Sequence, residues 1–224
     1  MPKKVKKKVR TKRLSRARKR QHFGRGQLAA DPATSVFINC PFDPDYARLF
    51  DAVVFATTAC GFLARSSLES GNVAESRMDR IAGAVFSSKY SIHDLSRCRG
   101  EGSEGLARFN MPLELGIAVG RRFAGGAEEH DWLILVPENH QYVKFISDLA
   151  GFDPKTHNGT VESVVSKVML WLATRPDATF VPTPEKVLQA FPRFEEKKRG
   201  LVTAWRGEAP WADLILLAQD CVPK

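Results

Sequence analysis

The sequence predicts an α/β protein on a mostly parallel five-stranded sheet, with a disordered basic N-terminal tail and a small helical C-terminal cap. Three observations predict it. From Thr34 onward, short apolar runs alternate with longer segments of helical period, which is the pattern of successive βα units. The run 132–136 is wholly apolar and Ser35–Asn39 holds Val36, Phe37 and Ile38 in succession, as strands buried on both faces do. With 224 residues and 43% hydrophobic content, the chain is large enough to bury a substantial core.

The elements follow in order. Ser35–Asn39 is the first strand, ended by Pro41-Phe42-Asp43-Pro44. Residues 45–59 carry Leu49, Val53 and Ala56 or Thr57 at helical spacing, and Gly61 stops them. Residues 62–65 form a short second strand, and 72–86, with Val73, Arg77 or Met78, and Ile81 in phase, a second helix. Tyr90–Asp94 is the third strand. After a loop over 97–108, a helix opens at Pro112, whose missing N–H costs nothing at a helix start, with Asn110 or Met111 at the cap; it ends near Gly120 or Gly125. Residues 132–136 form the fourth strand. A helix is expected over 141–149, and an irregular link or short edge strand over 152–159. Val161–Ala173 is amphipathic, with Val164, Val165, Val168 and Leu172 on one face. Pro176, Pro182, Pro184 and Pro192 then break the chain into pieces, of which only 184–190 and Trp211–Cys221 read as helical. The expected organisation is a tail over 1–30, an α/β domain over 31–175 and a helical extension over 176–224.

Charge is divided unevenly. Residues 1–30 hold thirteen Lys and Arg and no acid, while the remainder holds 21 basic residues against 25 acidic ones. The tail has too few apolar side chains to offset the entropy of ordering, and its charge, over residues 3–25, suits nucleic acid through counterion release. A solubilising or localising arm has the same composition. No apolar run is long enough to span a bilayer and none resembles a signal-peptide core, so a cytoplasmic protein without a membrane partner is expected. Cys40, Cys60, Cys98 and Cys221 have neither disulfide-framework nor zinc spacing, and the five histidines are scattered, so no metal is expected.

Chemistry in a parallel α/β sheet gathers outside the carboxyl ends of the strands. That rule selects Asn39 to Asp43 after the first strand, His93, Asp94 and Ser96 at the end of the third, and the loop with Arg97, Arg99 and Arg108 that leads to Asn110 and Glu114. Glu114 is a lone carboxylate in the apolar opening of a helix, where free N–H groups and the dipole favour its ionised form. Asn110, four residues earlier, falls on a similar face. No phosphate-binding glycine loop, nucleophile elbow or H-E-x-x-H pair is present. Asp94 and Glu114 remain, and two carboxylates at one edge suit glycosyl chemistry.

The stretch Ile92-His-Asp94-Leu-Ser96, the glycine-containing loop, and Asn110-x-Pro112-x-Glu114-Leu-Gly116-x-Ala118 resemble the superfamily of TIR-like and nucleoside 2-deoxyribosyltransferase-like domains. The resemblance covers about 34–173. It implies a flavodoxin-like three-layer sandwich and cleavage of N-glycosidic bonds in nucleosides, nucleotides or NAD⁺. By it Glu114 is the catalytic glutamate and Asp94 the residue that holds substrate beside it; topology alone sets Asn39, Asp43, Ser96 and Asn110 around them, and the charged loop departs from the family in offering Arg97, Arg99 or Arg108 to a phosphate, which favours a nucleotide over a free nucleoside. It further implies no cofactor beyond NAD as substrate, a homo-oligomer as one possible assembly, and bacterial anti-phage defence as one setting. A nucleotide-sensing module without catalysis, or a nucleic-acid protein acting through its tail, are the alternatives.

Overall fold

The computed structural model describes residues 30–69, 74–98, 109–138, 144, 146–179 and 181–223. The basic tail, Arg99 and Arg108 lie outside the described residues.

Five strands make one sheet: β1 (Ser35–Asn39), β2 (Leu63–Arg65), β3 (Tyr90–Asp94), β4 (Asp131–Pro137) and β5 (Lys155–His157). Their order is β2-β1-β3-β4-β5 and every pairing is parallel. This is the flavodoxin-like doubly wound order, and its connections reverse direction between β1 and β3. β1 and β3 are buried at every position, because helices cover both faces.

Strand alternation sorts the core. Val36, Ile38, Tyr90, Ile92, Leu133 and Leu135 face α1 (Ala47–Ala59) and α4 (Val161–Ala173). Phe37 faces α2 (Arg77–Phe86) and α3 (Asn110–Gly125), while Leu95, Ile134 and Val136 pack against Met111 and Leu115 of α3. Ser76 caps α2 by accepting from the Asp79 N–H, and Thr160 caps α4 by accepting from the Ser163 N–H.

The chain departs from its sequence reading in three places. Of the helix expected over 141–149, residues 141–143 and 145 lie outside the described residues, and 147–149 fall in a short 3-10 helix, Ser147–Gly151. α3 begins at Asn110, with Phe109 at the cap, so Pro112 is its third residue and Glu114 its fifth. The C-terminal part is also more ordered than its prolines suggested. α5 (Pro184–Ala204) runs on through Pro192, and α6 (Trp211–Cys221) follows.

Both C-terminal helices pack on α1, and α5 also meets α4. Phe194 stacks on Phe55 at 4.9 Å with Phe191 beside them, and the Trp211 Nε1–H donates to the Ala64 carbonyl at 3.2 Å. Local breakage at Pro192 is overridden by this aromatic packing, worth about 0.5–1.5 kcal/mol per ring pair beyond burial. α1 is consequently buried at every position from Phe50 to Ala59. Its sheet side and its outer side are both covered.

Candidate functional site

β1 and β3 deliver their last residues to the edge where the sheet order reverses. Asn39 is in register with His93, so both side chains project toward α3, while Asp94, one residue on, projects toward α1. This alternation divides the predicted site residues between the two faces of the sheet.

On the α1 side, Asp94 is fully buried and held by three donors. The Tyr46 hydroxyl donates to its Oδ2 at 2.6 Å and the Ser96 backbone N–H to its Oδ1 at 2.8 Å. His157, at the end of β5, lies 3.0 Å from Oδ2 through Nε2. The Gly159 N–H points at the other ring nitrogen, His157 Nδ1, at 3.1 Å, so Nδ1 accepts and Nε2 carries the hydrogen given to Asp94. The Ser96 hydroxyl is 3.3 Å from the same Nε2. Since that nitrogen bears hydrogen, His157 does not activate Ser96 as a nucleophile.

Cys40 is completely buried beside this group. Burial, then the Asp94 charge, push its thiol well above the ordinary value, which keeps it protonated and unreactive. The same two causes raise the Tyr46 phenol.

A cleft of about 430 Å³ opens onto this cluster, lined by Asp45, Tyr46, Ser96, Arg97, Glu138 and His157 among others. Arg97 stands at it with a two-pronged grip on Asp43, Nε to Oδ2 at 3.0 Å and Nη2 to Oδ1 at 2.7 Å. Asp43 Oδ1 also accepts from the Tyr46 N–H at 3.1 Å. Asp43 and Arg97 therefore brace the start of α1 against the loop after β3. Asp43 offsets the charge that Arg97 was expected to offer a phosphate.

On the other side, Asn39 is 2% exposed and gives both amide hydrogens to the protein, one to the Met111 carbonyl and one to His93 Nδ1, each at 2.9 Å. Asn39 thus faces the start of α3. Asn110 is exposed there, whereas Glu114 is buried.

Glu114 is 4% exposed and, among the described residues, makes no hydrogen bond or ion pair. Burial pushes its carboxyl from 4.5 to about 7, and the charge of Arg77 at the start of α2 only partly opposes that. The sequence favoured a fully ionised group, and the difference has a structural cause. At the fifth helical position Glu114 lies beyond the four free N–H groups, so the helix end offers it little and desolvation wins. Its charge is felt on the α1 side as well, since it adds to the upward push on Cys40.

Asp94 and Glu114 are therefore not partners. One is saturated with donors on the α1 side; the other is buried without a partner on α3. Sequence reading missed Tyr46 and His157. His157 lies 63 residues after Asp94 on a three-residue edge strand, and only its place at a carboxyl strand end marks it. Among the described residues no group of His, Cys, Asp and Glu is arranged to hold a metal, and no helix is long and apolar enough to cross a membrane. Compared with family models and with curated proteins, the chain finds no match.

Proposed function

We propose that the chain is an N-glycosidase that cleaves the bond between ribose and base of a nucleotide, with Glu114 as its catalytic carboxylate. The observation that carries this reading is a carboxylate buried near the carboxyl edge of a parallel sheet, without a partner, and with its pKa raised to about 7. A poorly solvated carboxylate with free lone pairs is suited to the positive charge that builds on C1′ as the base departs. The resemblance of the stretch Asn110 to Ala118 to TIR-like and deoxyribosyltransferase-like domains points the same way.

The saturation of Asp94 narrows the substrate. A purine or pyrimidine leaves well only if an acid protonates it, and the oxygens of Asp94 are taken up by three hydrogen bonds from the protein itself. The nicotinamide of NAD⁺ needs none, because it is a pyridinium before cleavage and departs neutral. We therefore take NAD⁺ as the first substrate. The C1′–N bond breaks with its electron pair going to nicotinamide, and the Glu114 carboxylate stabilises or bonds to C1′. Water then adds at C1′, releases the carboxylate, and gives its proton to solvent. Asp94 takes no part in this step; it holds Tyr46, Ser96 and His157 at the cleft on the α1 side.

The test is incubation with NAD⁺ and a panel of nucleotides, with free base followed by chromatography. The expected result is nicotinamide release that rises as pH passes through about 7, where Glu114 ionises, and that Glu114→Ala abolishes. No release by the native protein, or equal release by the variant, overturns the reading. Tight nucleotide binding without turnover assigns the chain to the sensing class instead.

A further inference from the structure

Beneath α3 lies a row of buried polar side chains that the proposed reaction does not use. It consists of Asn39, His93, Ser91 and His130, each 2% exposed or less. A hydrophobic sheet face would be expected here, so a polar row needs a reason.

The hydrogens in this row can be assigned from either end. Starting at Asn39, the Nδ2 amide can only donate, so His93 Nδ1 accepts at 2.9 Å. His93 Nε2 then carries the hydrogen and donates to Ser91 Oγ at 2.8 Å. The Ser91 hydroxyl passes its own hydrogen to His130 Nε2 at 2.9 Å. His130 Nδ1 must then bear hydrogen, and it donates to the Ser88 carbonyl at 2.9 Å. Starting from Ser88 gives the same answer. A carbonyl can only accept, which makes His130 Nδ1 the donor and forces each later step in reverse. Two independent ends agree on one direction and on opposite tautomers for the two histidines.

Both rings are held neutral as well. Burial pulls His93 down to about 3 and His130 to about 4, and the Arg121 guanidinium, 3.4 Å from His130 Nδ1 and also donating to the Ser88 carbonyl, disfavours a charge there. Each ring nitrogen of the two histidines and the Ser91 hydroxyl is engaged along the chain.

Its free end is the second Asn39 hydrogen, which goes to the Met111 carbonyl at the second position of α3, three residues before Glu114. We propose that Asn39, His93, Ser91 and His130 form a one-directional hydrogen-bond chain that fixes the first turn of α3 to the ends of β1 and β3 and so aims Glu114. Asn39 is the positioning residue of this device. It acts through the Met111 carbonyl.

The consequence for catalysis rests on the glycosidase reading of Glu114; the chain itself does not. The test accordingly has two parts. In long-range ¹⁵N–¹H spectra of the wild-type protein at pH 7, His93 is expected as the Nε2–H tautomer and His130 as the Nδ1–H tautomer, both neutral. Like tautomers, or a charged ring, overturn the proposal without any variant. Ser91→Ala cuts the chain away from α3, and Asn39→Asp keeps the shape but presents an acceptor to the Met111 carbonyl. Both are expected to accelerate amide exchange at residues 113–115 by about ten-fold, the worth of one hydrogen bond. Unchanged exchange in both overturns the positioning role. On NAD⁺, Asn39→Asp is expected to lower kcat about ten-fold or more while leaving KM within about three-fold, since misplacement harms the reacting geometry more than binding. If the wild-type protein releases no base at all, the glycosidase reading falls and the chain is judged on tautomers and exchange alone.

Discussion

Replacing Glu114 by glutamine should make the protein more stable, and only at neutral and alkaline pH. The side chain is 4% exposed and its carboxyl is raised from 4.5 to about 7, so the folded state resists its ionisation while the unfolded chain does not. Below pH 4.5 the group is protonated in both states and carries no penalty. Between 4.5 and 7 the unfolded chain loses the proton while the folded one keeps it, and wild-type stability falls as pH rises. Above 7 the full penalty stands. At about 1.4 kcal/mol per pKa unit it amounts to roughly 3 kcal/mol. Glutamine has the shape of the protonated acid and never ionises, so it escapes the penalty. Urea unfolding followed by tryptophan fluorescence at pH 5, 7 and 8.5 measures the difference directly. Wild type and Glu114→Gln should differ by less than about 1 kcal/mol at pH 5, and the variant should gain about 3 kcal/mol at pH 8.5 with the same denaturant slope. In thermal unfolding that corresponds to roughly 6–12 °C. Parallel pH profiles for the two proteins would mean that Glu114 is solvated or paired in solution. Glu114 would then offer no unpaired, poorly solvated lone pair to C1′.

Three further outcomes follow from the same structure. Tyr46→Phe removes one of three donors to the buried Asp94 carboxylate and should cost about 1.5–3 kcal/mol at pH 7 in the same unfolding assay, with a loss below about 0.5 kcal/mol counting against it. Phe194→Ala, in the middle of the Phe55 stack, should cost about 3–5 kcal/mol, since the cavity lies between α1 and α5 and cannot collapse; a near-neutral effect would make the C-terminal helices a detachable cap. Deleting residues 1–26 should abolish binding to heparin or duplex DNA and remove its salt dependence, because those residues hold all thirteen tail cations; sequence-specific binding that survives the deletion rules out a tail-driven interaction.

How far the sequence revealed this depends on where the determining forces lie. Ser35–Asn39, Tyr90–Asp94 and Val161–Ala173 emerge with the boundaries their patterns predict, because burial on both faces or along one helical stripe writes itself into local spacing. Residues 192–204 read as broken, yet they are helical. Pro192 carries a local signal against a helix, and the force that overrides it comes from Phe55, far away in sequence. The site shows the same division. The rule that chemistry gathers at carboxyl strand ends found Asn39, Asp94 and Glu114, but only side-chain alternation in the folded sheet separates Asn39 from Asp94 and sends one to α3, the other to Tyr46 and His157. The rise of the Glu114 pKa is hidden from the sequence for a related reason. A shift of two residues in the helix start took it out of reach of the free N–H groups, and such boundaries are the least legible feature of any sequence.

The covering of α1 has a consequence for how the protein is made. Two contacts close its outer side, Arg48 to Glu195 and Lys198 to Asp51, and a third, Trp211 to the carbonyl of Ala64, ties α6 to the neighbouring β2; each joins residues 147 apart. At roughly 5–20 residues per second, translation would leave about 7 to 30 s between the emergence of α1 and the arrival of its cover. During that interval a helix with Val53, Val54 and Phe55 buried in the finished protein has one side open to water. Nascent chains halted before residue 184 should therefore be the species that chaperones hold and proteases cut, and release from both should coincide with the emergence of Phe191 and Phe194.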